Sequence, residues 1–169
     1  MFDSVLYARD KWLNPDGIML PNEAKMYIAV LDDEAYYKKK LNYWNSVYGI
    51  SMKCMKKWVL SEPIVDPINH QDILSTTGKF YDINLEKVAL EDLDFISSFS
   101  LIVEMEGGMY GFVTWFDCDF SHGPKKICLS TSPYKKQTHW KQTVFYLDQP
   151  LDVYTGDVVE GKIRVCKAK

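Results

Sequence analysis

The stretch Thr138-His139-Trp140-Lys141-Gln142-Thr143-Val144-Phe145-Tyr146-Leu147 decides the fold class. From Gln142 onward the residues alternate, Gln142, Val144 and Tyr146 on one face and Thr143, Phe145 and Leu147 on the other, which is the period of a strand. Ahead of that strand a loop carries an imidazole beside an indole. A loop mounted on a rigid strand is a common place for binding and catalytic groups. The alternation recurs upstream, where Phe99, Leu101, Val103 and Met105 interleave with Ser98, Ser100, Ile102 and Glu104. That pattern gives one buried and one largely polar face. Strands are expected at 79–86, 98–106, 109–120, 126–131, 141–147, 151–154 and 158–166, with Gly107-Gly108 signalling a hairpin. Gly123-Pro124, Ser132-Pro133 and Thr155-Gly156-Asp157 punctuate the rest. Short strands so spaced predict an antiparallel barrel or sandwich.

The first part of the chain reads as helix around a single strand. Val5, Ala8 and Trp12 fall on one helical face over 4–13, which Asn14-Pro15-Asp16-Gly17 ends. Ala24, Met26, Ile28 and Val30 alternate with Lys25, Tyr27 and Ala29 in a strand at about 24–31. Asp32-Asp33 offers an N-cap to a helix over about 34–48, with the stripe Tyr37, Leu41, Trp44 and Tyr48 and a stop at Gly49. A shorter helix is expected at 51–58, with Met52, Met55 and Val59 on one side, and a helical turn near 69–74. Tyr36, Tyr37, Tyr43, Trp44 and Tyr48 exceed what one core-facing stripe needs. Packing on the protein's own barrel and service as a protein–protein arm therefore stand level. The last strand runs to within three residues of Lys169 and leaves an apolar edge of Val159, Ile163 and Val165. The first helix starts almost at residue 1, so both ends read as cut.

Composition bounds the function. A length of 169 residues suits one domain with a sizeable core, and 14% aromatics suit a β-rich fold or a large interface. A net charge of −3 gives no electrostatic case for nucleic-acid binding. Cys54, Cys118, Cys128 and Cys166 form no CxxC pair, and no apolar run is long enough to span a bilayer. A cytosolic or nuclear protein with reduced thiols is expected.

His139-Trp140 leads the candidate sites. A lone loop histidine is more often a hydrogen-bonded surface residue than a catalyst, and the indole reads equally as the plug of a barrel mouth. Asp117, Cys118, Asp119, His122 and Cys128 have metal-ligand residue types but fit no zinc spacing. Cys118 should also point away from Asp117 and Asp119. No metal site is expected. Neither GxGxxG nor GxxxxGK[ST] is present, so the chain has no cradle for a nucleotide-type cofactor.

With Ser130-Thr131-Ser132-Pro133 preceding it, Thr138-His139-Trp140-Lys141-Gln142-Thr143-Val144-Phe145 resembles the C-terminal half of a type I protein arginine methyltransferase. Asp3-Ser4-Val5-Leu6-Tyr7-Ala8-Arg9-Asp10-Lys11 is similar to the helix after that family's double-glutamate loop. Trp44-x-x-Val47-Tyr48-Gly49 with Met52-x-Cys54-Met55 is similar to its dimerisation arm. The resemblance covers almost the whole chain. It implies a mainly β, antiparallel barrel-like domain over 17–169 with a helical arm at about 33–58. Residues 1–16 would be the tail of a preceding cofactor-domain helix and a linker. It further implies that His139 faces the acidic groups holding a substrate guanidinium, while Trp140 and Met1 line the substrate side. Trp44, Tyr48, Met52 and Met55 would dock on a second subunit's cofactor domain to make a homodimer. S-adenosylmethionine and both catalytic glutamates would belong to a segment before residue 1, leaving this chain inactive alone. The rival readings are a stand-alone β-barrel peptide-binding module and a small metal-dependent enzyme using Cys118, His122 and Cys128.

Overall fold

The computed structural model describes residues 2–167. Its centre is an antiparallel sheet in the order β2 (Ile64–Asp66), β7 (Gln142–Val153), β5 (Gly107–Phe120), β1 (Glu23–Leu31), β3 (Gly78–Asn84). The short strand β6 (Ile127–Ser130) pairs with the far end of β5. A second antiparallel pair, β4 (Phe95–Ile102) with β8 (Val158–Val165), closes over one face. The result is a barrel-like enclosure of two sheets.

Alternation sorts the residues between two cores. Ile28, Val30, Phe80, Leu101, Val103 and Met109 fill the space between the sheets, with Phe99, Val159 and Ile163 packed on them. Ala29, Leu31, Val113, Trp115, Val144 and Tyr146 face the other way. Both faces of β1 and β5 are thus covered, and Val30, Leu101 and Val113 are completely buried. Each such side chain contributes on the order of 2 kcal/mol through apolar area removed from water. On the second face sits the arm inserted between β1 and β2, made of α2 (Glu34–Asn42), two 3-10 turns and α3 (Lys56–Ser61). At the other end α1 (Phe2–Trp12) buries Leu6, and its Arg9 guanidinium donates to the Leu85 and Val88 carbonyls at 2.9 and 2.7 Å.

The structure changes several expectations. The helix expected over 34–48 stops at Asn42 and gives way to a 3-10 turn at Tyr43–Asn45. Val47 and Ile50 then exchange backbone hydrogen bonds across Tyr48 and Gly49, whose φ angles are +51° and +82°. Both positive values make this a two-residue hairpin turn of the primed kind. Local turn chemistry overrides the helical stripe, and Tyr48 leaves it to stand 97% exposed. The helix expected at 51–58 begins as a 3-10 turn at Lys53–Met55 and is α only over Lys56–Ser61. Asp33 occupies the N-cap position of α2 but makes no side-chain cap. Its carboxylate instead accepts from the Tyr146 hydroxyl at 2.7 Å, while Asp32 accepts from the Gly108 amide at 3.3 Å. Gly107-Gly108 makes no hairpin, because β4 pairs with β8 and β5 pairs with β1, β6 and β7. The runs 141–147 and 151–154 are one strand whose register against β5 shifts between Met109 and Gly111.

Candidate functional site

The loop bearing His139 and Trp140 leaves the sheet where β5 changes partner. β7 pairs with β5 up to Thr114, and β6 takes over from Asp117. Thr131 fills the gap: its amide donates to the Phe116 carbonyl at 3.0 Å, and its Oγ1 accepts from the Phe116 amide at 3.0 Å. Residues 132–141 then turn outward, and Gln142 returns the chain to β7 as a buried residue. His139 and Trp140 are both exposed at the crest. Their rings lie 6.2 Å apart at 75°, and the indole meets the Phe116 ring edge-on at 6.3 Å. Among the described residues the His139 ring has no hydrogen-bond partner, so it is free to meet a group brought from outside.

Phe116 links this loop to α1. It lines an apolar cavity of about 380 Å³ together with Phe2, Val5, Leu20, Met26 and Cys118. Phe116 thus has the Trp140 ring on one side and shares the cavity with the start of α1. Met1, expected on the substrate side, lies outside the described residues. No motif in the sequence marks Phe116. Its alternation marks a strand residue, and only the pairing of β5 with Thr131 shows what it supports.

The arm divides its aromatics between both readings. Tyr37 is buried, its hydroxyl donating to the Asp148 carbonyl at 3.1 Å, and Tyr36 stacks on Tyr146 at 6.0 Å. The root thus packs on the protein's own barrel. Burial first and the Asp33 bond second push the Tyr146 hydroxyl far above its ordinary range. At the far end Trp44, Met52 and Met55 are half-buried, and the Met52 amide donates to the Trp44 carbonyl at 3.0 Å. Tyr43, Tyr48, Ile50 and Trp58 project into solvent, leaving an apolar tip that nothing among the described residues covers.

The acidic and thiol residues near β5 do not converge. Lys25 bonds Asp119 at 2.5 Å and Glu23 at 3.2 Å, which holds the Asp119 carboxyl below its ordinary value. Burial and its bond to Asp119 push the Cys128 thiol up to about 12, and burial raises Cys118, which faces the cavity by α1. His122 pairs with Glu86 at 2.7 Å. Among the described residues no group of three or more His, Cys, Asp and Glu side chains is placed to hold a metal.

Residues 22–169 match the family described as the arginine methyltransferase oligomerization subdomain. The chain belongs to the arginine methyltransferase family. Relatives within it include protein arginine N-methyltransferase 1 of Dictyostelium discoideum, 38% identical over 161 residues, which are 95% of this chain and 47% of the relative. The Saccharomyces cerevisiae protein arginine N-methyltransferase 1 is 40% identical over 168 residues, 98% of this chain and 48% of the relative. Among solved structures, the Trypanosoma brucei PRMT1 enzyme–prozyme heterotetrameric complex with AdoHcy superposes with a TM-score of 0.92 at 32% identity, over 97% of this chain and 52% of that one. Arabidopsis thaliana protein arginine methyltransferase 10 superposes at 0.79 with 26% identity, over 95% and 54%. The chain spans about half the length of the curated relatives it matches, and corresponds to the barrel and oligomerisation part of the arginine methyltransferases.

Proposed function

We infer that this chain is the substrate-side barrel and dimerisation portion of an S-adenosylmethionine-dependent protein arginine N-methyltransferase, producing monomethyl- and asymmetric dimethylarginine. The observation that carries the reading is the exposed His139-Trp140 crest, its indole against Phe116, which Thr131 fastens and which shares a cavity with α1. In that role His139 supplies a hydrogen-bonding imidazole to the acidic groups that orient a guanidinium. Trp140 supplies a flat wall against the substrate. Orientation of this kind acts by holding the nitrogen in line for attack.

The residues of this chain do not fit the cofactor. A nucleoside-type ligand of this kind binds beyond the carboxyl ends of parallel strands, at a glycine-rich turn opening a helix. Every sheet pairing among the described residues is antiparallel, and the chain has no GxGxxG. S-adenosylmethionine is therefore assigned to the cofactor domain that the relatives' greater length accommodates. The exposed tip around Tyr48 docks on that domain in a second subunit, with Trp44, Met52 and Met55 shaping the tip from beneath. Arginine-rich proteins are the proposed substrates, without a membrane or nucleic-acid partner. A cytosolic or nuclear setting is proposed, and the four free thiols support it. Incubating the isolated chain with S-adenosylmethionine and a glycine-arginine-rich peptide should yield no methylarginine by mass spectrometry. Sustained turnover by the chain alone would refute the assignment.

A further inference from the structure

The geometry points to Gln142 as the residue that positions the His139-Trp140 loop, acting through Thr131. Gln142 opens β7 and is only 3% exposed. A primary amide is costly in such a place unless both of its ends are bonded. Here Nε2 donates to the Thr131 carbonyl at 2.7 Å, and Oε1 accepts from the Ile68 amide at 2.8 Å. A carbonyl requires a donor and an N–H requires an acceptor, so the two partners fix the orientation of the amide.

Thr131, 1% exposed, continues the chain of bonds. Its Oγ1 donates to the Phe116 carbonyl at 2.8 Å and accepts from the Phe116 amide at 3.0 Å. Both feet of loop 132–141 are thereby fastened to one point of β5, between the stretches paired with β7 and β6. The residue fastened there is also the one whose ring meets Trp140. Lys141, between the indole and Gln142, adopts φ +56° and is held by a bond from its amide to the Thr138 carbonyl at 3.3 Å. Its Nζ reaches Asp66 at 3.1 Å. A non-glycine residue stays in the left-handed region only where its surroundings hold it there. Gln142 thus sets where the loop starts and ends, and the left-handed turn at Lys141 sets which way Trp140 leaves it.

The importance of this clamp rests on the reading of His139 and Trp140 as a working surface. Its test needs no methyl transfer, so the two fail separately. The measurement is amide hydrogen exchange of residues 132–141 against that of β5 and β7 in the full chain, with the Trp140 indole N–H followed by NMR. Gln142→Met keeps the side-chain volume and loses both bonds. It is expected to speed exchange in the loop by about tenfold or more while the strands keep their protection. The Trp140 indole signal should move or broaden. Gln142→Glu keeps the acceptor for Ile68 but sets a carboxylate against the Thr131 carbonyl, and should loosen the loop equally. Unchanged loop exchange in both variants would overturn the proposal, as would equal loss of protection in loop and strands, which marks a purely structural residue. If Gln142→Met does not fold, Thr131→Val against Thr131→Ser decides. Valine should free the loop and serine, which keeps the hydroxyl, should not; equal behaviour of the two would overturn it.

Discussion

Cys128 shows how neighbours set the chemistry of a single side chain. It lies on the exposed strand β6, yet burial of the sulfur and its bond to Asp119 push the thiol from its ordinary 9.0 up to about 12. Alkylation needs the thiolate, so at pH 8 Cys128 should react at least about tenfold more slowly than an ordinary thiol, the stronger nucleophilicity of its thiolate offsetting part of the loss. Peptide mapping after iodoacetamide treatment checks this, and labelling of Cys128 at the rate of a model thiol would contradict it. Asp119 is the other half of that contact. Lys25 holds its carboxyl below the ordinary 3.8, so the stabilisation is fully present above that value and fades as the pH falls through the lower folded one. Lys25→Met should cost about 1 kcal/mol at neutral pH, since both groups are partly solvated. It should also flatten the acid limb of a urea stability curve measured from pH 5 to 2.5. The residue types near β5 are legible in the sequence, and so is the opposite facing of Cys118 and Asp119. That Asp119 answers Lys25 is set by the pairing of β1 with β5, and that His122 answers Glu86 by the meeting of two loops distant in sequence, neither of which a local pattern encodes.

Among the elements, strand alternation was the dependable signal and partner choice was not. Period two sorts the faces of residues 99–103 and 142–146 correctly, but β4 ends at Ile102 and Met105, expected on the buried face, is exposed. The partner of β4 is β8, far along the chain, and glycines at 107–108 suggest a nearer one that the core does not accept. The arm failed differently: Tyr37, Leu41, Trp44 and Tyr48 have helical spacing, but residues 47–50 prefer a primed turn. Two glycines test these elements. At Gly49 an added Cβ meets open space, so Gly49→Ala should cost about 1 kcal/mol from its positive φ alone and disturb only the arm tip. At Gly111, beside the register shift, an added Cβ would lie 2.4 Å from the Phe145 carbonyl oxygen. Backbone must move to admit it, and Gly111→Ala should cost several-fold more. Thermal unfolding of the two variants separates them, and equal losses would contradict the pairing of β5 with β7.

At the scale of the whole molecule, charge and apolar surface divide in the same way. Residues 34–61 hold six lysines against one glutamate, a net +5, which leaves −8 for the rest of a chain whose total is −3. Lys38 is paired with Glu34, and Lys40 lies over the Tyr146 ring. Lys39, Lys53 and Lys57 are exposed beside the apolar tip of Tyr43, Tyr48, Ile50 and Trp58. An arm of this character should dock on an acidic surface with an apolar pocket, its encounter rate falling with salt. In a chimera where this chain replaces the matching half of the Saccharomyces cerevisiae relative, replacing Tyr48 and Trp58 together with serine should weaken dimerisation at least about tenfold. Lys53→Gln with Lys57→Gln should slow association at low ionic strength only. Sedimentation velocity and stopped-flow mixing read these effects.

The same chimera carries the most direct measurement of what this chain is for. Its initial rate of arginine methylation on a glycine-arginine-rich peptide, with S-adenosylmethionine, is compared with that of His139→Ala in the same background. The barrel assignment predicts methylarginine from the chimera and a loss of about tenfold to a hundredfold in kcat for the variant, with dimerisation unchanged. A folded, dimeric chimera with no activity, or one indifferent to the loss of the His139 imidazole, would contradict it.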